Sequence, residues 1–294
     1  MGYKYEYLSF TFSKRDVKMD EHIIEAMGKS KIVVKDGKVI KIGKPIIDYC
    51  PLFHKYRGIE KLDCESIREN IEFRINDFGM CSPDRKLKMK DFLSFGISET
   101  ISTLLEDKIL DCAVIVCDGA GTVLINDPEI VQGVGGRISG FLSTSPILEI
   151  IDSIGKNNIL NPEKAEINQI EGTKKAINQR FKNIAVTITS PLDAAKLRLI
   201  EKSFINTNIY IFAVHVTGVS LEEAQELFKY ADVITACASK PIREIGDKKA
   251  FLKVGQSIPI FAASEKGKEF LLRRINKIGG LKDKKEAKVP KPLI

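Results

Sequence analysis

The chain has 294 residues, 44% of them hydrophobic and 29% charged, with a formal net charge of +7. This is the composition of a globular chain with a real core, long enough for two modest domains at roughly 100–200 residues each. The apolar runs at 113–117 and 209–216 fall far short of the ~20 residues a membrane span needs, so no membrane association is expected. The positive charge forms no concentrated stripe with interleaved aromatics, so nucleic acid is not an expected partner.

In chain order, residues 3–12 alternate and are rich in aromatics, which reads as an opening strand. Residues 20–27 read as a short helix with an acid at its start, placing His22 at the surface. Residues 31–35 and 38–42 flank Asp36 and Gly37, the dipeptide that supplies the positive φ angles of a tight hairpin turn. Residues 49–58 read as irregular, 65–78 as helix, 79–85 as a second irregular loop and 91–105 as helix. Residues 110–116 form a buried-strand pattern ending in a glycine-rich turn at 117–122. Residues 131–140 read as a second flexible glycine loop, and Pro146 opens a helix, since proline fits a first helical turn.

Beyond residue 160 the rhythm changes. Helix is expected at 162–181, strand at 184–189, helix at 191–202, strand at 209–216, helix at 220–230 and strand at 232–236. A strand at 258–263 and a helix at 266–277 follow, stopped by Gly279 and Gly280. Alternation of this length implies βαβ units and a parallel sheet. The fold class is therefore α/β. A mixed domain with a β-hairpin is expected over 1–158, a parallel βαβ (Rossmann-like) domain over 159–281, and a basic flexible tail over 282–294. Ligands of parallel sheets bind beyond the strand carboxyl ends, which nominates 189–190, His215 to Gly218, Cys237 to Lys240 and 263–264 as one rim.

The N-terminus shows no basic region followed by an apolar stretch, so no secretory signal is expected and a cytoplasmic location is. Six cysteines in such a setting favour metal or redox roles over disulfides. Four of them, Cys50, Cys81, Cys117 and Cys237, fall in loop-like segments. Four thiolates are the usual ligand number of a [4Fe–4S] cluster. Cys50 precedes a proline, Gly79 and Gly119 would let backbone approach the sulfides, and Arg57 and Arg85 would balance an anionic cluster. Cys112 and Cys64 read as ordinary small hydrophobes. A second chemistry is a small anionic or phosphorylated ligand held by Asp118, Gly119, Gly121, Thr122, Gly136 and Arg137, because glycine-rich turns aim N–H groups at anions and Arg adds a bidentate pair. The strict GxGxxG fingerprint and the Walker A lysine are missing. A thiol nucleophile, Cys117 or Cys237, would need a base, for which His54 and His215 are the candidates.

Several segments together resemble the methanogenesis marker protein 8 family of methane-forming archaea. They are 49–52 with Arg57 and Gly58, 79–81 with Arg85, 117–123, 135–137, 185–187 and 236–240. The resemblance implies an accessory role in methanogenesis, with methyl-coenzyme M reductase or its assembly proteins as partners. An iron–sulfur site would then serve electron delivery or cluster handling in maturation or activation of that enzyme. The alternatives are a metal-free enzyme of coenzyme biosynthesis acting on a small anionic substrate, and a non-catalytic assembly scaffold.

Overall fold

The computed structural model describes residues 20–91, 93–136, 138, 140–281 and 287–294. The strand expected at 3–12 and the side chain of Arg137 lie outside them. The described residues form an α/β fold of two sheets. The smaller sheet is antiparallel, with β1 (Glu21–Ala26), β2 (Ser30–Lys35), β3 (Lys38–Ile42) and β6 (Gly140–Ser143) in the order β3-β2-β1-β6. The hairpin at Asp36–Gly37 forms as expected, with Lys35 opposite Lys38 and both turn residues at positive φ.

The helix expected at 20–27 is instead strand β1. Its burial alternates residue by residue, and His22, Ile24 and Ala26 point inward. That period of two, together with ladder partners in both β2 and β6, decides against a helix. His22 is consequently buried rather than at the surface. Its Nδ1 lies 2.6 Å from Thr144 Oγ1 and its Nε2 2.7 Å from Asp20 Oδ1.

The larger sheet has seven strands in the order β10-β11-β9-β8-β7-β4-β5. Its parallel centre comprises β4 (Cys112–Cys117), β7 (Asn183–Ile188), β8 (Asn208–Ala213) and β9 (Val233–Thr235). Antiparallel strands close both sides: β5 (Gly121–Ile125) beside β4, and β11 (Ile260–Ala262) with β10 (Leu252–Val254) beyond β9. The sheet thus joins strands from both sides of residue 158.

Strand β4 shows why this sheet is central. Cys112 and Val114 pack on one face and Ala113, Ile115 and Cys117 on the other, as expected of a strand covered on both sides. One face carries α3 (Ile97–Glu106), α4 (Pro128–Gly135), α5 (Leu148–Ile154) and α10 (Glu265–Lys277) through residues such as Leu104, Val134, Ile150 and Phe270. The other carries α6 (Gln169–Asn178), α7 (Pro191–Ser203), α8 (Leu221–Tyr230) and α9 (Lys240–Lys249) through Ala176, Leu197, Leu227 and Ile242. Each fully buried aliphatic side chain contributes roughly 1.5–3 kcal/mol relative to exposure.

A third cluster joins the small sheet to α2 (Cys64–Phe78), with Ile24, Ile32 and Val34 against Ile67, Ile71 and Phe78. Val116, Ile138 and Ile167 pack against this cluster too, so the small sheet sits over the carboxyl-end rim of the large one.

Several boundaries differ from expectation. Pro51 starts a true helix, α1 (Pro51–Arg57), ended by Gly58 in the left-handed conformation. The glycine loop at 131–140 is largely α4 followed by β6, because Asp127 caps the helix with its side chain on the N–H groups of Glu129 and Ile130. The helices expected at 91–105 and 162–181 are shorter, beginning at Ile97 and Gln169. Residues 287–294, expected in a flexible tail, make backbone hydrogen bonds to the loops beside Cys50 and Cys237. Among the described residues no helix is long and apolar enough to cross a membrane.

Candidate functional site

Above the carboxyl ends of β8 and β9, beneath the small sheet, lies a cavity of ≈ 300 Å³. Lys29 of the β1–β2 turn, Cys50 just before α1, Phe53 of α1, Arg74 and Phe78 of α2, and His215 and Cys237 of the rim all line it. Its elements are tied together by polar contacts. Lys29 Nζ donates to the Thr217 carbonyl at 2.9 Å and pairs with Glu25 at 3.4 Å. The Ala238 N–H donates to Thr217 Oγ1 at 3.1 Å, joining the β8 and β9 loops. Arg74 Nε donates to Asn70 Oδ1 at 2.9 Å, one turn earlier on α2.

Cys50 is the residue before the first turn of α1, in extended conformation with Pro51 following. Burial pushes its thiol up, while the N–H groups of Leu52 and Phe53 favour the thiolate without closing a capping hydrogen bond. Cys237 follows β9 with φ +47°, a left-handed backbone uncommon for a side chain of this kind. Burial, then the neighbouring Cys50, pushes its thiol up to about 11, opposed by the N–H groups of His215 and Val216 and the charge of Arg243. Arg243 holds the loop by donating to the carbonyls of Cys237 at 2.6 Å and Ser257 at 2.8 Å.

His215, just past β8, is also left-handed, with φ +56°. Strain of this kind costs about 1–3 kcal/mol per residue and persists where the surroundings over-determine it. The side chain opens onto the cavity and is exposed there, with the surrounding walls and Lys29 on its protein side. Burial, then Lys29, lowers its pKa to about 4. It is a neutral imidazole near pH 7 whose ring has no hydrogen-bond partner among the described residues. His215 and Ile138 also line a second cavity of ≈ 600 Å³ over the ends of β4, β7 and β8, which includes Gln169, Thr187, Thr189, Asp193 and Lys196.

The sequence-nominated residues separate into distinct places. Cys50, Arg57, Gly136 and Cys237 line the first cavity. Cys81 and Cys117 are fully buried in a different setting, beside the ion pair of Arg85 and Asp118. Arg85 Nε donates to both Asp118 carboxylate oxygens at 3.1 Å, and its other nitrogens donate to the carbonyls of Lys86 at 2.6 Å and Gly133 at 2.8 Å. The Cys81 N–H donates to Asp118 Oδ2 at 2.8 Å. Burial, then the Asp118 charge, drives both thiols upward.

Gly119 and Gly121 face protein rather than open space. A Cβ on Gly121 would lie 2.3 Å from the Ala165 carbonyl, and one on Gly119 would lie 2.7 Å from Ile150. Thr122 Oγ1 donates to Gln169 Oε1 and accepts the Asn168 N–H, both at 2.8 Å. His54 packs on the Tyr49 ring at 5.6 Å between centroids.

Among the described residues no group of three or more His, Cys, Asp or Glu side chains is placed to hold a metal ion. With two thiols in the cavity and two sealed beside a carboxylate, this arrangement does not fit a four-thiolate cluster. The rim rule located Thr217 and His215. The contribution of Asn70 and Arg74 is visible only as an i, i+4 polar pair on α2, and nothing in the sequence points to Pro290, which also lines the cavity.

A family model described as "Uncharacterized protein conserved in archaea (DUF2099)" matches residues 22–276. An uncharacterized protein of Methanocaldococcus jannaschii is 48% identical over 259 residues, covering 87% of this chain and 91% of its own length. No solved structure matches.

Proposed function

The chain belongs to the archaeal family described as uncharacterized protein conserved in archaea (DUF2099), and from that premise we propose that it is an accessory protein of methanogenesis, serving the maturation or activation of methyl-coenzyme M reductase. We place its working site at the Cys50–Cys237 cavity. The resemblance to the methanogenesis marker protein 8 family supports the role, and the relative in Methanocaldococcus jannaschii is in keeping with it. One observation carries the site: a single cavity collects two thiols from distant parts of the chain and an imidazole without a hydrogen-bond partner among the described residues. Binding sites of this kind are concave and mostly apolar, with a few converging polar groups.

The test is genetic and enzymatic. Deletion of the gene in a methane-forming archaeon lowers the active fraction of methyl-coenzyme M reductase in the extract. Wild-type protein restores it, whereas Cys50→Ser and Cys237→Ser do not. An unchanged active fraction in the deletion strain refutes the role, and full rescue by both variants refutes the site. The second reading, a metal-free enzyme for a small anionic substrate, is favoured by Lys196, Thr187 and Thr189 in the cavity shared with His215. It expects inorganic phosphate to bind the purified protein and Lys196→Ala to weaken that binding.

A further inference from the structure

The fold treats the six thiols in three ways. Cys64 is exposed at the start of α2, and Cys81, Cys112 and Cys117 are sealed in the interior. Cys50 and Cys237 are half-buried and line the same cavity. They are close enough that a charge on one bears on the other.

The loops that carry them are strapped together by residues 287–294. The Asp48 and Tyr49 N–H groups donate to the Lys291 carbonyl at 2.7 and 3.0 Å, and the Lys291 N–H donates back to the Tyr49 carbonyl at 3.1 Å. At the other end the Ile294 N–H donates to the Ala238 carbonyl at 3.0 Å, and the Lys240 N–H donates to the Ile294 carbonyl at 2.7 Å. The residues next to both cysteines are therefore held by one short segment.

Leu52, Phe53, Phe78, Ile138 and Ile258 form the apolar part of the cavity lining. The charged groups of the lining are held by protein partners, Lys29 by Glu25, Arg74 by Asn70 and Arg57 over the Phe73 ring. Such a lining disfavours an ionised group at the reacting centre. Among the described residues no group of three or more His, Cys, Asp or Glu is placed to hold a metal ion, and two thiols that share a cavity are suited to thiol–disulfide exchange.

We infer that Cys237 and Cys50 are the attacking and resolving thiols of an exchange site for a small organic disulfide that is uncharged around its sulfurs. The inference rests on this cavity being the working site. The Cys237 sulfur attacks one substrate sulfur, and the substrate S–S bond breaks as the mixed disulfide forms. The first thiol departs with the proton of Cys237. The Cys50 sulfur then attacks the Cys237 sulfur, and the second thiol departs with the proton of Cys50. The substrate gains two electrons, and the protein loses two as the Cys50–Cys237 disulfide forms. The N–H groups of His215 and Val216 stabilise the developing charge on Cys237.

The test uses full-length protein carrying Cys64→Ser, which removes the exposed thiol, and 2-hydroxyethyl disulfide as the probe without oxygen. The expected product is a protein two hydrogens lighter, a linked Cys50–Cys237 peptide after digestion, and two 2-mercaptoethanol molecules released per chain. Adding Cys50→Ser stops the reaction at one probe half attached to Cys237, and adding Cys237→Ser abolishes the internal link. Circular dichroism and urea midpoints confirm that each variant is folded. Cys50 and Cys237 separately capped in the folded Cys64→Ser protein, or no reaction at either, overturn the inference. Should the exchange fail while Cys50→Ser and Cys237→Ser still lose rescue of reductase activation, the exchange alone is refuted and the site stands. Should the exchange occur in a protein whose deletion leaves the reductase unaffected, the proposed role is refuted and the chemistry stands.

Discussion

Replacing Asp118 by Ala tests whether the Cys81, Arg85 and Cys117 segments form a structural lock. The Asp118 and Arg85 side chains are 0% and 1% exposed, and their ion pair spans 3.1 Å. Removing one partner of such a pair leaves an uncompensated buried charge, which costs about 3–5 kcal/mol. The Cys81 N–H loses its acceptor as well, a penalty of about 1–3 kcal/mol when taken alone. Because both losses fall on one group, they overlap rather than add, and the expected total is about 5 kcal/mol. With a urea dependence of about 3 kcal/mol/M, the midpoint moves down by about 1.7 M. The double variant Asp118→Leu with Arg85→Met removes both charges and is expected to recover most of that loss, since apolar replacements of buried pairs are often neutral. Urea unfolding followed by circular dichroism on wild type, Asp118→Leu, Arg85→Met and the double variant closes the cycle, with Asp118→Ala measured beside them. A loss below about 1 kcal/mol for Asp118→Ala, or a double variant as unstable as the sum of its singles, refutes the reasoning.

The remaining predictions concern the thiols, the rim histidine and the glycine turn. Iodoacetamide labels Cys64 first and Cys50 and Cys237 next, while Cys81, Cys112 and Cys117 react only on unfolding. Because the thiolate is the nucleophile and burial holds Cys237 up to about 11, its labelling rate climbs about tenfold per pH unit through pH 7–10; a plateau above pH 8 contradicts this. Removing residues 287–294 is expected to speed labelling of Cys50 and Cys237 about tenfold by local opening, and an unchanged rate refutes the strap. His215, lowered to about 4 in the fold against 6.5 when unfolded, contributes stability that is full above about 6.5 and is lost as pH falls through about 4. His215→Gln therefore flattens the acid arm of the stability profile, and an NMR titration midpoint near 6.5 would contradict the assignment. Gly121→Ala sets a methyl against the Ala165 carbonyl at φ +72° and costs about 3 kcal/mol in urea unfolding, whereas an anion-cradling glycine would lose ligand binding with stability intact.

Much of the large sheet was legible because its signals are local. Strands at 184–189, 209–216 and 232–236 announce themselves as short apolar runs with helices expected between them at 191–202 and 220–230, and the fold shows Ser190 and Ser220 capping those helices. Asp36–Gly37 fixes its hairpin through backbone angles alone. Residues 20–27 misled because six residues can satisfy either period, and only pairing with β2 and β6 resolves them. Residues 49–58 misled in the other direction, since the proline that reads as a breaker is the first residue of α1.

The candidate site was legible in parts. Cys50, Cys237 and His215 could be nominated from loop context and the strand-end rule, as could Arg85 and Asp118. Their grouping could not, because it depends on contacts between residues far apart in sequence. The same reading that offered four equivalent cysteines could not tell that Asp118 seals two of them against Arg85, or that residues 287–294 return to bind the loops of the other two. The sequence by itself determined the periodicities, turns and caps, each governed by residues within a few positions of one another. Tertiary structure alone decided which thiols share a cavity and which are buried, because burial and proximity depend on how the two sheets meet.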